Sequence, residues 1–280
     1  MTNKSQLKEV KKLFDLGAHL GHKKNRLHPK ARKNVYTMLN GTSIIDLTKT
    51  TEQLSKAKKF LAQSAKEGKI VLIVGTKKTA SPTIRSFAEK HNLAFITAKW
   101  LPGLLTNFKT IMKNVKKLKE YKETDTKEEF KELVKHERTR LQKAMNKLER
   151  LYGGILRITK KPDILIIIDV KKEKNAVKEA RTFNIPIVGL ADTNADPDEI
   201  TYPIVANDDD TTVVEYIVQE LLNSYVTAFK PPEAKTAEKP AVKSQLTKPS
   251  SQKKEEKKEE KKEAEKKIKK QTKKGVKKTK

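Results

Sequence analysis

Between His19 and Lys33, six lysines and arginines and three histidines fall within fifteen positions, with few apolar residues among them. Cations gathered in an extended loop follow a phosphate backbone, while histidine and asparagine donate hydrogen bonds to sugars or base edges. A merely solvated loop would have the same composition. The crowding of Lys23, Lys24, Arg26, His28, Lys30, Arg32 and Lys33 into one short stretch favours RNA contact. The same region offers metal-ligand chemistry. His19 and His22 stand three apart, and Asp192 and Asp208 each follow an apolar run, so His22, Asp192 and Asp208 are candidates for a divalent metal such as zinc. No three-ligand cluster is visible in the sequence, and histidines that pack or cap without a metal account for the pattern better.

A second candidate is Val74-Gly75-Thr76-Lys77-Lys78, which ends an apolar run and opens a helix-like segment. Its amides, with Lys77 and Lys78, would suit an RNA phosphate, or the stretch is simply a helix start. It has neither the spacing of a phosphate-binding nucleotide loop nor the three-glycine dinucleotide fingerprint. Trp100, the only tryptophan, precedes a lysine-rich stretch. It either stacks on an unpaired base or anchors that stretch, and the usual burial of tryptophan favours the anchor. Asp169, Asp192, Asp196 and Asp198 suit helix caps and turns, and no serine or cysteine nucleophile sits in a recognisable motif. No catalysis is expected.

The elements that must position these residues alternate between strand-like runs and helical periods, the pattern of an α/β fold with a mostly parallel sheet covered by helices. Asn34–Leu39 and Thr42–Leu47 flank Asn40-Gly41, a pair suited to a tight hairpin turn. Thr48–Glu67 reads as a helix stopped by Gly68. Lys69–Gly75 reads as a buried parallel strand followed by a helix through Lys90. Asp163–Asp169 is another such strand, followed by a helix from about Lys172 to Phe183, a strand at Ile185–Leu190, a short strand at Tyr202–Val205 and a helix from about Asp209 to Phe229.

The segment Asn107–Leu151 has no strand signal and more than a dozen basic residues. Ile111, Val115 and Leu118 form one narrow apolar stripe; Phe130, Leu133, Leu141, Met145, Leu148 and Tyr152 form another. Two helices covering each other this way should project as a coiled-coil arm, with Lys109, Lys113, Lys116 and Lys117 on or beside its outer surface. The expected organisation is an α/β domain from 1–106 and 153–230, an inserted hairpin at 107–152 and a disordered tail at 231–280.

Charge and composition narrow the function. Lys plus Arg total 63 against 35 acids, a net charge of +28, which calls for a polyanionic neighbour. The stretch from Pro231 to Lys280 holds 19 lysines and 8 glutamates, a net +11, so +17 remains on the other 230 residues. The excess is therefore not confined to one end. There is no cysteine, the first twelve residues are too polar for a signal peptide, and no apolar run approaches the ~20 residues that span a bilayer. A cytoplasmic protein is expected. A membrane-surface protein would need an apolar face beside its charge, which the lysine-glutamate stretch lacks. A nucleotide-binding α/β enzyme would need a compact phosphate loop and a convergent acid or base.

Taken in order, His19-Leu20-Gly21-His22 with Pro29-Lys30, Ile44-Ile45-Asp46-Leu47, Val74-Gly75-Thr76-Lys77-Lys78, Trp100-Leu101 with Leu105-Thr106-Asn107, Gly153-Gly154-Ile155, Pro162-Asp163, Ile185-Pro186 and Asp192-Thr193-Asn194-Ala195-Asp196-Pro197 resemble the bacterial ribosomal protein S-two family in sequence and spacing. The resemblance runs from about Leu13 to Phe229. It implies a three-layer α/β domain with an inserted helical hairpin, seated on small-subunit ribosomal RNA near the junction of head and body. It also implies neighbouring small-subunit proteins as partners, especially the messenger-binding ribosomal protein S-one, with no homo-oligomer. Pro102 departs from the family, which usually has two glycines after the Trp-Leu pair, and leaves the shape of that turn open.

Overall fold

Side chains alternate across a strand, so a strand buried throughout must be covered on both faces. The computed structural model, which describes residues 4–125 and 134–229, meets that requirement with helices on two sides of one sheet. In chain order the elements are α1 (Lys4–Asp15), β1 (Leu20–Lys23), β2 (Val35–Leu39), β3 (Thr42–Ile45), α2 (Leu47–Lys66), β4 (Val71–Val74), α3 (Ser81–Lys90) and β5 (Ala94–Ile96). These are followed by α4 (Phe108–Asp125), α5 (Lys135–Tyr152), β6 (Ile164–Ile168), α6 (Lys174–Thr182), β7 (Ile187–Ala191), β8 (Tyr202–Val205) and α7 (Thr211–Ala228). Short 3-10 turns separate some of them. Among the described residues, no helix is long and apolar enough to cross a membrane.

The five-stranded sheet is parallel throughout, in the order β5-β4-β6-β7-β8. Val71, Ile73, Ile164, Ile166, Ile168, Val188 and Leu190 point to one face, beneath α2, α3 and α7. Leu72, Val74, Leu165, Ile167, Ile187 and Ala191 point to the other, beneath α6, the Trp100 loop and the roots of α4 and α5. A small antiparallel sheet, β1-β3-β2, stands apart. Its hairpin turns at Asn40 (φ 50°) and Gly41 (φ 77°), the left-handed pair expected there.

The hairpin departs from the expected free arm. Ile111, Val115, Leu118, Met145 and Tyr152 are buried in the same cluster as Leu72, Val74, Ala94 and Ile96. The two helices do face each other, with Asn114 Nδ2 donating to Tyr152 Oη at 3.0 Å and Lys122 pairing with Glu149 at 2.6 Å. Their inner halves nevertheless form part of the third layer. The sheet supplies more apolar surface on this face than the nine-residue α6 can cover. Phe130 and Leu133, and the 231–280 tail, lie outside the described residues.

Trp100 is the anchor rather than a stacking platform. It is 4% exposed, and its Nε1 donates to Glu179 Oε1 at 3.1 Å. The same carboxylate accepts from the amides of Gly103 (2.8 Å) and Leu105 (3.0 Å). Leu104 N donates to Leu101 O at 3.0 Å, which closes a turn with Pro102 at its second position and Gly103, φ +91°, at its third. That order of proline then left-handed glycine suits a type II turn, so Pro102 fits where the family has glycine.

Candidate nucleic-acid interface

The basic segment is not a free loop. Leu20–Lys23 is strand, and 3-10 turns span Lys24–Arg26 and Pro29–Asn34. Gly21 permits its docking, because a Cβ there would stand 2.7 Å from Thr193 Cγ2, in the loop after β7. Close approach then lets His22 N donate to Thr193 Oγ1 at 2.9 Å and His28 N to Thr193 O at 2.8 Å. His22 Nδ1 lies 2.7 Å from Asp192 Oδ2, and Nε2 lies 2.8 Å from Asn194 Nδ2. Burial pushes the Asp192 carboxyl up, against the hydrogen bonds from Thr193 and the nearby His22.

His22 and His19 are engaged within the fold. His22 uses both ring nitrogens. His19 stacks on Phe14, with ring centroids 4.3 Å apart. His28 is half-buried, and its Nδ1 is closed off without a hydrogen-bond partner.

The cations of the segment divide into two groups. Lys30 donates to Asp196 Oδ2 at 2.7 Å, and Lys33 pairs with Asp198. The hydrogen bond to Asp196 raises the Lys30 pKa. Burial works against ionisation of Asp196, but the hydrogen bonds from Lys30 and Asp198 N hold its pKa below the usual value. These two lysines tie the segment to the loop between β7 and β8. Lys23, Lys24, Arg26 and Arg32 are exposed and have no acidic ion-pair partner among the described residues.

At the C-terminal ends of the parallel strands lies the crevice where open α/β sheets place ligands. The chain fills it with its own charges. Lys77 lies 2.7 Å from Asp208, 2.6 Å from Asp209 and 3.8 Å from Asp169. Burial disfavours its charge, yet the hydrogen bonds to Asp208 and Asp209 outweigh that and raise its pKa. Burial and the Asp169 carboxylate push Asp208 up to about 6 despite Lys77. Nearby, Lys172 Nζ donates to Thr76 O at 2.9 Å, and Thr76 Oγ1 donates to Glu173. Burial pushes the Glu173 pKa up, with the Thr76 hydrogen bond opposing. Lys77 thus serves an internal network, whereas its neighbour Lys78 is exposed.

This arrangement changes the expected ligand trio. Asp208 turns to Lys77, and its exposed neighbour Asp209 approaches His22, with Oδ2 3.9 Å from Nε2. His22, Asp192 and Asp209 offer ligand atoms within 4.8 Å of one another. The contacts of His22 with Asp192 and Asn194, and of Asp209 with Lys77, account for that approach without an ion. On the hairpin, Lys109, Lys113, Lys116 and Lys117 are exposed; Lys116 lies 4.0 Å from Glu120, one helical turn on, and Lys117 sits 5.5 Å from the Tyr121 ring centroid.

The candidate interface is a set of exposed cations on the α/β body, beside a strand-end crevice in which Lys77 is held by internal ion pairs. A family model described as ribosomal protein S2 matches residues 13–228, which takes in both sheets, the crevice and the hairpin. The chain belongs to the ribosomal protein S2 family, structural proteins of the small ribosomal subunit.

Proposed function

We propose that the protein binds small-subunit ribosomal RNA by charge and shape, without covalent chemistry, through Lys23, Lys24, Arg26 and Arg32, with Lys78 and the hairpin lysines as further phosphate contacts. The observation that carries this reading is the division among the cations. Lys30, Lys33 and Lys77 are held by acids of the same chain, whereas the first four are exposed and unpaired by acids among the described residues. A rigid body presenting such charges to phosphate loses less conformational entropy on binding than a flexible chain would. Family membership supports ribosomal RNA as the partner; docking of ribosomal protein S-one belongs to the same proposal.

The test is filter binding of a small-subunit RNA fragment across a salt series, with wild type against the combined Lys24→Ala, Arg26→Ala and Arg32→Ala variant. Each lost phosphate contact should flatten the salt slope by about 0.7 to 0.9. An unchanged slope and affinity would place the RNA elsewhere.

A further inference from the structure

Lysine outnumbers arginine 55 to 8 in this chain, yet Arg85, Arg150 and Arg157 all line one pocket. The pocket, about 270 Å³, lies beside β5 at the root of the hairpin. Its apolar surface comes from Leu93 and Phe95 around β5 and from Leu151 and Leu156 where the chain leaves α5. Gly154 allows that chain to lie against β5, since a Cβ there would fall 2.1 Å from Phe95 O. The pocket is therefore a built feature of the fold.

Its charges are unevenly matched. Arg85 lies 3.7 Å from Glu89, and Lys122 pairs with Glu149 at 2.6 Å. Arg150 and Arg157 are exposed, with no acidic ion-pair partner among the described residues. Arginine differs from lysine in offering a planar fork that binds phosphate in two places and stacks on flat groups. A concave site combining apolar walls with a few placed polar groups is the usual form of a small-ligand site, and this volume falls just below the ~300 Å³ lower end of the usual range, which restricts the occupant to one small unit. It has room for one nucleotide unit but not for a duplex.

We propose that this pocket takes a single nucleotide, with its base against Leu93, Phe95, Leu151 and Leu156 and its phosphate on the guanidinium groups of Arg150 and Arg157. The nucleotide is either one unit of an RNA strand or free in solution, and the inference rests on the RNA-binding reading above.

Calorimetric titration of the full chain with AMP, inorganic phosphate and a single-stranded adenylate hexamer tests it. AMP should bind at least roughly tenfold more tightly than phosphate, because phosphate leaves the apolar walls empty. The charge-conserving pair Arg150→Lys and Arg157→Lys should weaken AMP roughly tenfold with an unchanged melting temperature, because it removes the fork and keeps the charge. A hexamer tighter than AMP identifies an RNA strand as the source, and equal affinities identify the free nucleotide. AMP binding no better than phosphate, or a lysine pair that binds AMP like wild type, would overturn the proposal. A small-subunit RNA fragment titrated in the same buffer separates the two readings. If wild type binds that fragment but neither AMP nor hexamer, the pocket fails and the RNA reading stands; if it binds none of them, both fail.

Discussion

Lysines at two places in this molecule look alike in sequence and have opposite surroundings. Lys24, beside Arg26 in the N-terminal segment, faces solvent without an acidic ion-pair partner among the described residues, whereas Lys77, at the end of β4, meets three aspartates. Both stand in motifs suited to phosphate. The difference lies in what the tertiary fold brings up to them. Asp208 and Asp209 are more than a hundred residues away in the chain, and they arrive through the parallel order of the sheet. Local charge density marks a candidate, and the long-range acids decide whether its charge is left open to a partner.

The largest effect should come from the hairpin, which carries both cases on one element: lysines outward and Ile111, Val115, Leu118, Met145 and Tyr152 inward. Each buried aliphatic side chain contributes about 1.5 to 3 kcal/mol, so this group rivals the roughly 5 to 15 kcal/mol net stability of a domain. Excising residues 107–152 through a glycine linker should abolish cooperative thermal melting. Retained cooperativity would mean that the hairpin is a separable arm after all.

Next in size is Lys77→Ala. It leaves Asp208 and Asp169 in a partly buried site without their cation, and a loss of roughly 3 kcal/mol is expected in urea unfolding at neutral pH. A loss below about 0.5 kcal/mol would place Lys77 with the surface cations.

Asp208→Asn sharpens the comparison through pH. The folded-state pKa of about 6 lies above the ordinary 3.8. The folded form therefore binds the proton more tightly, and this group's favourable contribution is full below pH 3.8 and lost as pH rises through 6. The asparagine variant should gain on wild type above pH 6, by at most about 3 kcal/mol, less whatever the weaker contact with Lys77 removes. The gap should close by about pH 3.5 in parallel urea titrations. A gap independent of pH would remove Asp208 as its source.

Much of the fold was legible because its signals are local. Ile164–Ile168 and Ile187–Ala191 are continuous apolar runs, and Asn40-Gly41 is a turn pair whose geometry follows from its residue types. Ala94–Ile96 is only three residues long, too short for a periodic signal, and Leu20–Lys23 was hidden in its basic composition. α1 gives only a weak signal, because its face toward the core rests on Leu13, Val10 and few other apolar residues. The site was less legible. The sequence names His22 and Asp192 together, and they do meet across 170 positions, but nothing in the order of Asp208 and Asp209 says which of the two turns inward. The arginine pocket had a weak signal in the scarcity of arginine, but Arg85, Arg150 and Arg157 come from three separate segments.

Smaller effects distinguish the two groups within the basic segment. Lys30→Ala with Lys33→Ala breaks exposed ion pairs to Asp196 and Asp198, so the melting temperature should stay close to that of wild type. RNA affinity should drop less than for Lys24→Ala with Arg26→Ala, as read by filter binding. An equal or greater drop would show that the tethered lysines also reach RNA.

The most direct test of the central claim compares salt dependence and melting for two variants side by side. The combined Lys24→Ala, Arg26→Ala and Arg32→Ala variant should lose about two units of salt slope on a small-subunit RNA fragment while melting like wild type. Lys77→Ala should melt markedly lower and, at a temperature where it remains folded, keep the wild-type slope. The opposite pairing, a triple variant with unchanged slope beside a Lys77 variant that loses it, would contradict the account.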